Sequence, residues 1–185
     1  MYNLFKLIFR FFDYTRGFIL LITIRSCGGV CKSIPKVGKN VIFKYPPHKG
    51  IYIGKNCDIG AFSQFDIPPK GKLYIGDNVK FTQGVVISAL NSVHISSNVL
   101  IAEWTSIRDS QHMYALQNKP INQQGMNAGE IFIDEDVWIG RNSGIFMDSF
   151  IHKGAIIGAN SICKKIEIPS MKIFAGSPVK YIKDR

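Results

Sequence analysis

The sequence predicts an all-β fold, a parallel β-solenoid in which three short strands close each triangular coil. Two observations predict it. From residue 37 onward an aliphatic residue returns every six positions, as in Ile133, Ile139, Ile145, Ile151 and Ile157. Between these positions the chain is polar, often with Gly directly after the aliphatic residue, as at Gly54, Gly60, Gly76, Gly140 and Gly158. A spacing of six does not fit the helical period of 3.6, whereas short strands separated by tight turns do fit it. Three such units make one coil: the aliphatic side chains stack inside the prism, and Gly is expected to supply the backbone freedom of the corners.

At 185 residues the chain has the length of one ordinary domain with a real core. Residues 1–36 precede the repeat and are expected to be a hydrophobic, basic helical segment of one or two short helices. Residues 2–24 are rich in Phe, Leu and Ile, but Lys6, Arg10, Asp13 and Arg16 interrupt them before a spanning length of about 20 is reached. Arg25 argues against a lipoprotein cleavage site ahead of Cys27. The excess of 23 Lys and Arg over 13 Asp and Glu gives +10, and residues 1–36 hold six of the cations against Asp13 alone. Such a segment suits the anionic face of a membrane, or packing on its own domain or a neighbouring subunit. The four cysteines lack the spacing of a disulfide scaffold or a zinc site, which fits a reducing cytoplasm.

The solenoid is expected over residues 37–185. One block runs from Ile53 through Ile59, a second from Ile75 through Phe81 and Ile87, and a third holds Ile95, Ile101 and Ile107. A fourth runs from Ile133 to Cys163. Phase slips between Phe65 and Ile75 and between Ile87 and Ile95 mark loops. The third block ends in Ile107-Arg108-Asp109-Ser110-Gln111-His112, and the repeat then stops until about Ile131. Residues 113–130 carry Asn, Gln, Gly and Pro in place of the period, so they are expected to project from the prism as a loop of the kind that is usually functional or disordered.

From this point the chain resembles the hexapeptide-repeat O-acetyltransferases, the group of maltose, galactoside and antibiotic acetyltransferases and of many capsule and lipopolysaccharide modifying enzymes. The resemblance rests on His112 beside the projecting loop and on an ordered C-terminal series. That series is Asp136-Val137-Trp138-Ile139-Gly140, Ile157-Gly158-Ala159-Asn160-Ser161, Lys164-Lys165 before Pro169, and Ala175-Gly176-Ser177-Pro178-Val179-Lys180. It implies a left-handed β-helix and a homotrimer, with acetyl-CoA as co-substrate in a groove between two subunits and no metal. It also implies that His112 is the general base. Trp138, Gly140, Arg141, Ser143, Ala159, Lys164, Lys165, Gly176, Ser177, Lys180 and Lys183 match cofactor-binding positions, and the cations among them suit the phosphates of CoA.

Asp109, Glu103 or a backbone carbonyl could hold the His112 tautomer, and backbone N–H groups around residues 141–143 of the adjacent subunit could form an oxyanion hole. In galactoside-type relatives an Asn helps to hold the acceptor, and Gly84 stands at that position here, which implies another acceptor. A surface-sugar precursor such as a lipid-linked oligosaccharide, presented at the inner face of the membrane, fits the basic N-terminus.

Other readings keep part of this frame. The acceptor could be an amine of a nucleotide-linked amino sugar, the donor an acyl carrier protein, or the chain a non-catalytic trimeric scaffold. A carbonic-anhydrase relative would need a second ligand five residues after His112, where Gln117 stands. The chain contains no P-loop, dinucleotide fingerprint or nucleophile elbow, and no recognisable nucleic-acid module.

Overall fold

A computed structural model describes the backbone of residues 2–185 and the side chains from Phe5 onward; Met1, where the predicted N-terminal segment begins, lies outside the described residues. The chain opens with helix α1 (Tyr2–Ser26) and continues as seven stacked coils. The first three coils carry β1 (Val30–Cys31), β2 (Lys36–Val37) and β3 (Ile42–Phe43), then β4 (Ile51–Ile53), β5 (Asp58–Ile59) and β6 (Gln64–Asp66), then β7 (Lys72–Ile75), β8 (Lys80–Phe81) and β9 (Val86–Ser88). The fourth has β10 (Ser92–Ile95), β11 (Leu100–Ile101) and β12 (Ser106–Arg108), and is followed by a hairpin of β13 (Ser110–His112) and β14 (Met126–Ala128). The last three have β15 (Glu130–Ile133), β16 (Trp138–Ile139) and β17 (Gly144–Phe146), then β18 (Ser149–Ile151), β19 (Ile156–Ile157) and β20 (Ile162–Cys163), then β21 (Ile166–Ile168) and β22 (Lys172–Ala175).

Equivalent strands of successive coils pair in parallel and make three sheets. The fold is the predicted left-handed parallel β-helix. The ladder begins upstream of residue 37, because Val30 and Cys31 already pair with Tyr52 and Ile53. The period-six residues form inward columns: Ile53, Ile75, Ile95, Ile133, Ile151 and Ile168 on one sheet, and Ile59, Phe81, Ile101, Ile139 and Ile157 on the next. The third column is Phe65, Ile87, Ile107, Ile145 and Cys163, and all of these side chains are buried. Cys57 and Cys163 pack as small apolar residues, and burial pushes their thiols up to about 11 and about 12. The C-terminal residues form a strand, β23 (Lys180–Asp184), which folds back antiparallel on β22.

The corners correct one expectation. The left-handed conformation is carried chiefly by Asn and Asp, among them Asn56, Asn78, Asn98 and Asp136, with φ of 55°, 58°, 61° and 59°. These residue types reach αL at low cost and can bond locally. Asn56 donates to Asn78 at 3.3 Å and Asn78 to Asn98 at 3.0 Å, which ties three coils at one edge. Gly after the aliphatic position serves close stacking instead: a Cβ on Gly140 would lie 2.5 Å from the Ala159 nitrogen of the next coil.

Within the N-terminal segment Tyr2–Ser26 is one continuous helix, and the chain then enters the first coil at β1. Gly17 does not break the helix, because a Cβ there would sit 1.8 Å from the Pro35 carbonyl oxygen, and its absence lets the helix approach the first coil. Leu21 and Ile24 bury on the same side. Arg25 closes the junction by donating to the Cys31 carbonyl at 2.9 and 2.7 Å.

On the outer face of the first sheet Tyr52, Tyr74, His94 and Phe132 stack, with centroids 4.5, 4.3 and 4.8 Å apart. Burial holds the His94 imidazole below its ordinary pKa, with the Asp134 carboxylate opposing. The unfolded chain therefore takes up a proton near pH 6.5, which the folded chain accepts only at lower pH. Native stability is expected to fall as pH drops through that value. His94→Phe should keep the stack and flatten the dependence, as read from thermal unfolding between about pH 5 and 7.

Candidate active site

The long break in the stack, between β12 and β15, is the hairpin, and its root is fixed by Asp109. The Asp109 side chain is fully buried. Its carboxylate accepts the backbone N–H groups of Leu90, Asn91 and Ser92 at 2.8, 2.7 and 2.8 Å. Its own carbonyl accepts the Gly129 N–H at 2.8 Å where the chain rejoins the prism. The excursion thus starts at Ser110, ahead of residue 113, and runs as an antiparallel ribbon in which His112 faces Met126. A 3-10 turn at Ile121–Gln123 and the Gln124 side chain, which bonds Leu116 at 2.9 and 2.8 Å, organise the tip.

His112 is exposed on this ribbon and overhangs the third sheet. Parallel register places Phe146 beside Arg108, and Ile162 beside Gly144, one coil further on. Together with Met147, Gln111 and Lys164 they line a cleft of about 450 Å³. Lys164 reaches across it to donate to Gln111 Oε1 at 2.9 Å. The other three histidines have structural places: His48 bonds Ile67 O and Gly50 N, His94 lies in the aromatic stack, and His152 meets Glu167 at 2.8 Å.

The predicted site residues therefore divide. His112 and Lys164 share the cleft. Asp109 does not orient His112; its carboxylate is taken up by the three amides, a correction to the sequence reading. Glu103 sits at the corner between the second and third sheets, across the sheet from the hairpin, where its carbonyl accepts the Asn142 N–H at 2.8 Å. That bond also removes the Asn142 N–H from the proposed oxyanion donors.

Ser143 is buried, and its hydroxyl bonds Gly158 O at 3.1 Å, so it stacks coils and is closed to a ligand. Gly140 is likewise a stacking position, and Ser161 Oγ accepts the Gly176 N–H at 3.0 Å. Trp138, Arg141, Ala159, Lys165, Ser177, Lys180 and Lys183 are exposed, none of them in the lining of the His112 cleft. The sequence reading missed Arg108, Phe146 and Met147 as wall residues. Arg108 lies in the quoted hexapeptide, but the other two join it only through coil register. Among the described residues no group of three His, Cys, Asp or Glu side chains is placed to hold a metal.

No family model matches the chain. It is 30% identical over 140 residues to the dTDP-4-amino-4,6-dideoxy-D-glucose acyltransferase of Escherichia coli, covering 73% of this chain and 72% of that enzyme. It is 29% identical over 140 residues to WbbJ of Escherichia coli K12, named as a lipopolysaccharide biosynthesis O-acetyl transferase, covering 72% and 71%. In structure it is similar to AntD, an N-acyltransferase of Bacillus cereus, in a variant bound to dTDP-4-amino-4,6-dideoxyglucose and coenzyme A. That match has a TM-score of 0.64 at 25% identity and covers 80% of this chain and 82% of that one. A hexapeptide-repeat-containing acetyltransferase of Vibrio cholerae shares the fold, with a TM-score of 0.59 at 19% identity over 93% and 81% of the two chains. By this fold, its hexapeptide period and these likenesses, the chain belongs to the hexapeptide-repeat acyltransferase family.

Proposed function

We propose that this chain transfers an acetyl group from acetyl-CoA to a hydroxyl of a bacterial surface sugar, with His112 as general base. One observation carries the reading: an exposed imidazole on a braced hairpin, set over an apolar sheet floor and beside a lysine. A thioester needs no further activation, so the protein must align the acceptor hydroxyl, remove its proton and steady the developing oxyanion. Imidazole suits this task because it gains and loses a proton near neutral pH. His112 takes the hydroxyl proton as the new C–O bond forms and the C–S bond breaks, and gives it to the departing thiolate.

The cleft is one-sided within a single chain, which supports a homotrimer whose adjacent subunit supplies the second wall. Sheet two and its corner offer the material for that wall: Leu100, Trp138 and Trp104 are 39%, 48% and 53% exposed, large values for apolar side chains. The cations Lys180 and Lys183 on the second sheet, Arg141 at its corner, and Lys165 at the corner between the third and first sheets fit the phosphates of coenzyme A. Lys164, in the His112 cleft, fits an anionic group of donor or acceptor nearer the reacting atoms. Lys164→Met should raise KM for acetyl-CoA about tenfold, the loss of one charge-assisted hydrogen bond, in steady-state kinetics with folded protein.

The likeness to WbbJ supports a hydroxyl acceptor. The likeness to the dTDP-amino-sugar acyltransferase supports an alternative, an amine on a nucleotide-linked sugar. Incubation with labelled acetyl-CoA and either cell-envelope glycans or dTDP-amino sugars separates them. An ester product loses label in mild alkali, whereas an amide keeps it. Label retained in alkali, on an amino sugar alone, overturns the O-transfer reading; no transfer to any acceptor favours a non-catalytic scaffold.

A further inference from the structure

Helix α1 occupies the place of a solenoid cap but lacks a cap's polar outer side. Gly17, Leu21 and Ile24 bury against the first coil. Much of its remaining surface is apolar and open: Phe9 and Phe11 are each 67% exposed, and Phe5, Leu7, Ile8, Phe12, Phe18, Ile19 and Ile22 are exposed with them. A soluble solenoid end needs a polar outer face, and a patch of this size marks a contact.

Charge identifies the contact. Lys6 and Arg10 stand within the aromatic stretch, and Lys39 of the first coil lines a cleft with Phe9 and Phe12, while Lys36 beside it is paired with Asp58 at 2.9 Å. Asp13, the one acidic residue of the helix, is paired with Arg16. A second copy laid on this face would bring two sets of these cations together. Anionic headgroups would neutralise them, each cation strengthening binding about fivefold. No helix among the described residues is long and apolar enough to cross a membrane. The combination of an aromatic face with cationic neighbours is that of a helix lying in the interface plane.

We propose that α1 is an interfacial anchor that lays its aromatic face into the headgroup layer of an anionic phospholipid bilayer. The residues between Phe5 and Ile22 give it a reach of about 27 Å along the surface. The prism then stands on the membrane by its N-terminal end. The inference is independent of the acyl acceptor, because its readout is partition to lipid.

The test is co-sedimentation of the full chain with vesicles of phosphatidylcholine alone or with phosphatidylglycerol added. The wild type should sediment with the anionic vesicles, and high salt should weaken the binding. Lys6→Glu/Arg10→Glu and Phe9→Ser/Phe12→Ser should each lower partition at least about tenfold. Circular dichroism and thermal unfolding should remain those of the wild type, since none of these four side chains is buried. Failure of the wild type to sediment with anionic vesicles overturns the proposal. So does a halved assembly mass of the Phe9→Ser/Phe12→Ser variant in light scattering without lipid, which would assign the face to a second copy.

Discussion

His112→Ala is expected to lower kcat by at least about a hundredfold while leaving the assembly folded, the usual contribution of a positioned general base. The two halves of this expectation rest on different observations. The ring is exposed on the hairpin and supports no core contact, so its loss should not move the unfolding transition. The cleft around it keeps its shape without it, because Arg108 and Phe146 are fixed by coil register and Met147 is buried. KM for acetyl-CoA should therefore change little, which separates loss of a base from loss of a binding site. A variant that turns over at near-normal rate would show that another group takes the proton, and Lys164 is the first to test.

What the sequence made legible follows from how a solenoid is built. Each coil contacts only its neighbours, so a local period of six specifies strands, corners and core together, and the inward columns could be read from single residues such as Ile139 and Ile157. His112 was legible because the period stops beside it. Less was readable wherever meaning depends on register between coils. Phe146 becomes a cleft wall only by pairing with Arg108, and Ser143 is removed from the ligand list by a hydroxyl bond to Gly158 in the next coil. Asp109 looked like a partner for His112 because it is close in sequence, yet its side chain points into the stack and the ribbon carries His112 outward. The corner role given to Gly held at Gly84 and Gly154, with φ of 69° and 70°, but not for Gly after the aliphatic position: there Gly was needed for close approach, and Asn and Asp reach the left-handed conformation at most other corners.

Asp109→Ala is expected to cost about 3–5 kcal/mol locally, because three backbone N–H groups lose their only charged acceptor in a buried site. The distances of 2.7 and 2.8 Å are those of charge-assisted bonds. Asn91, one of the three donors, also bonds Gly129 O through its side chain at 3.0 Å, and Asp109 O holds the Gly129 N–H. The carboxylate therefore fastens the turn between the third and fourth coils directly, and the returning strand of the hairpin through Asn91. Hydrogen exchange should show lost protection at residues 90–92 and along the hairpin, with the terminal coils unchanged, since stability in a solenoid is a sum of neighbour terms. Asp109→Asn keeps one acceptor oxygen but turns an amide NH₂ toward the donors, so its effect should be smaller and in the same places. Activity should fall in both variants because His112 rides on the loosened ribbon. If Asp109 acted by orienting the imidazole, the Asn variant would instead lose kcat with full protection at residues 90–92. That outcome would return Asp109 to the catalytic group, against three short bonds that leave its carboxylate committed to the backbone.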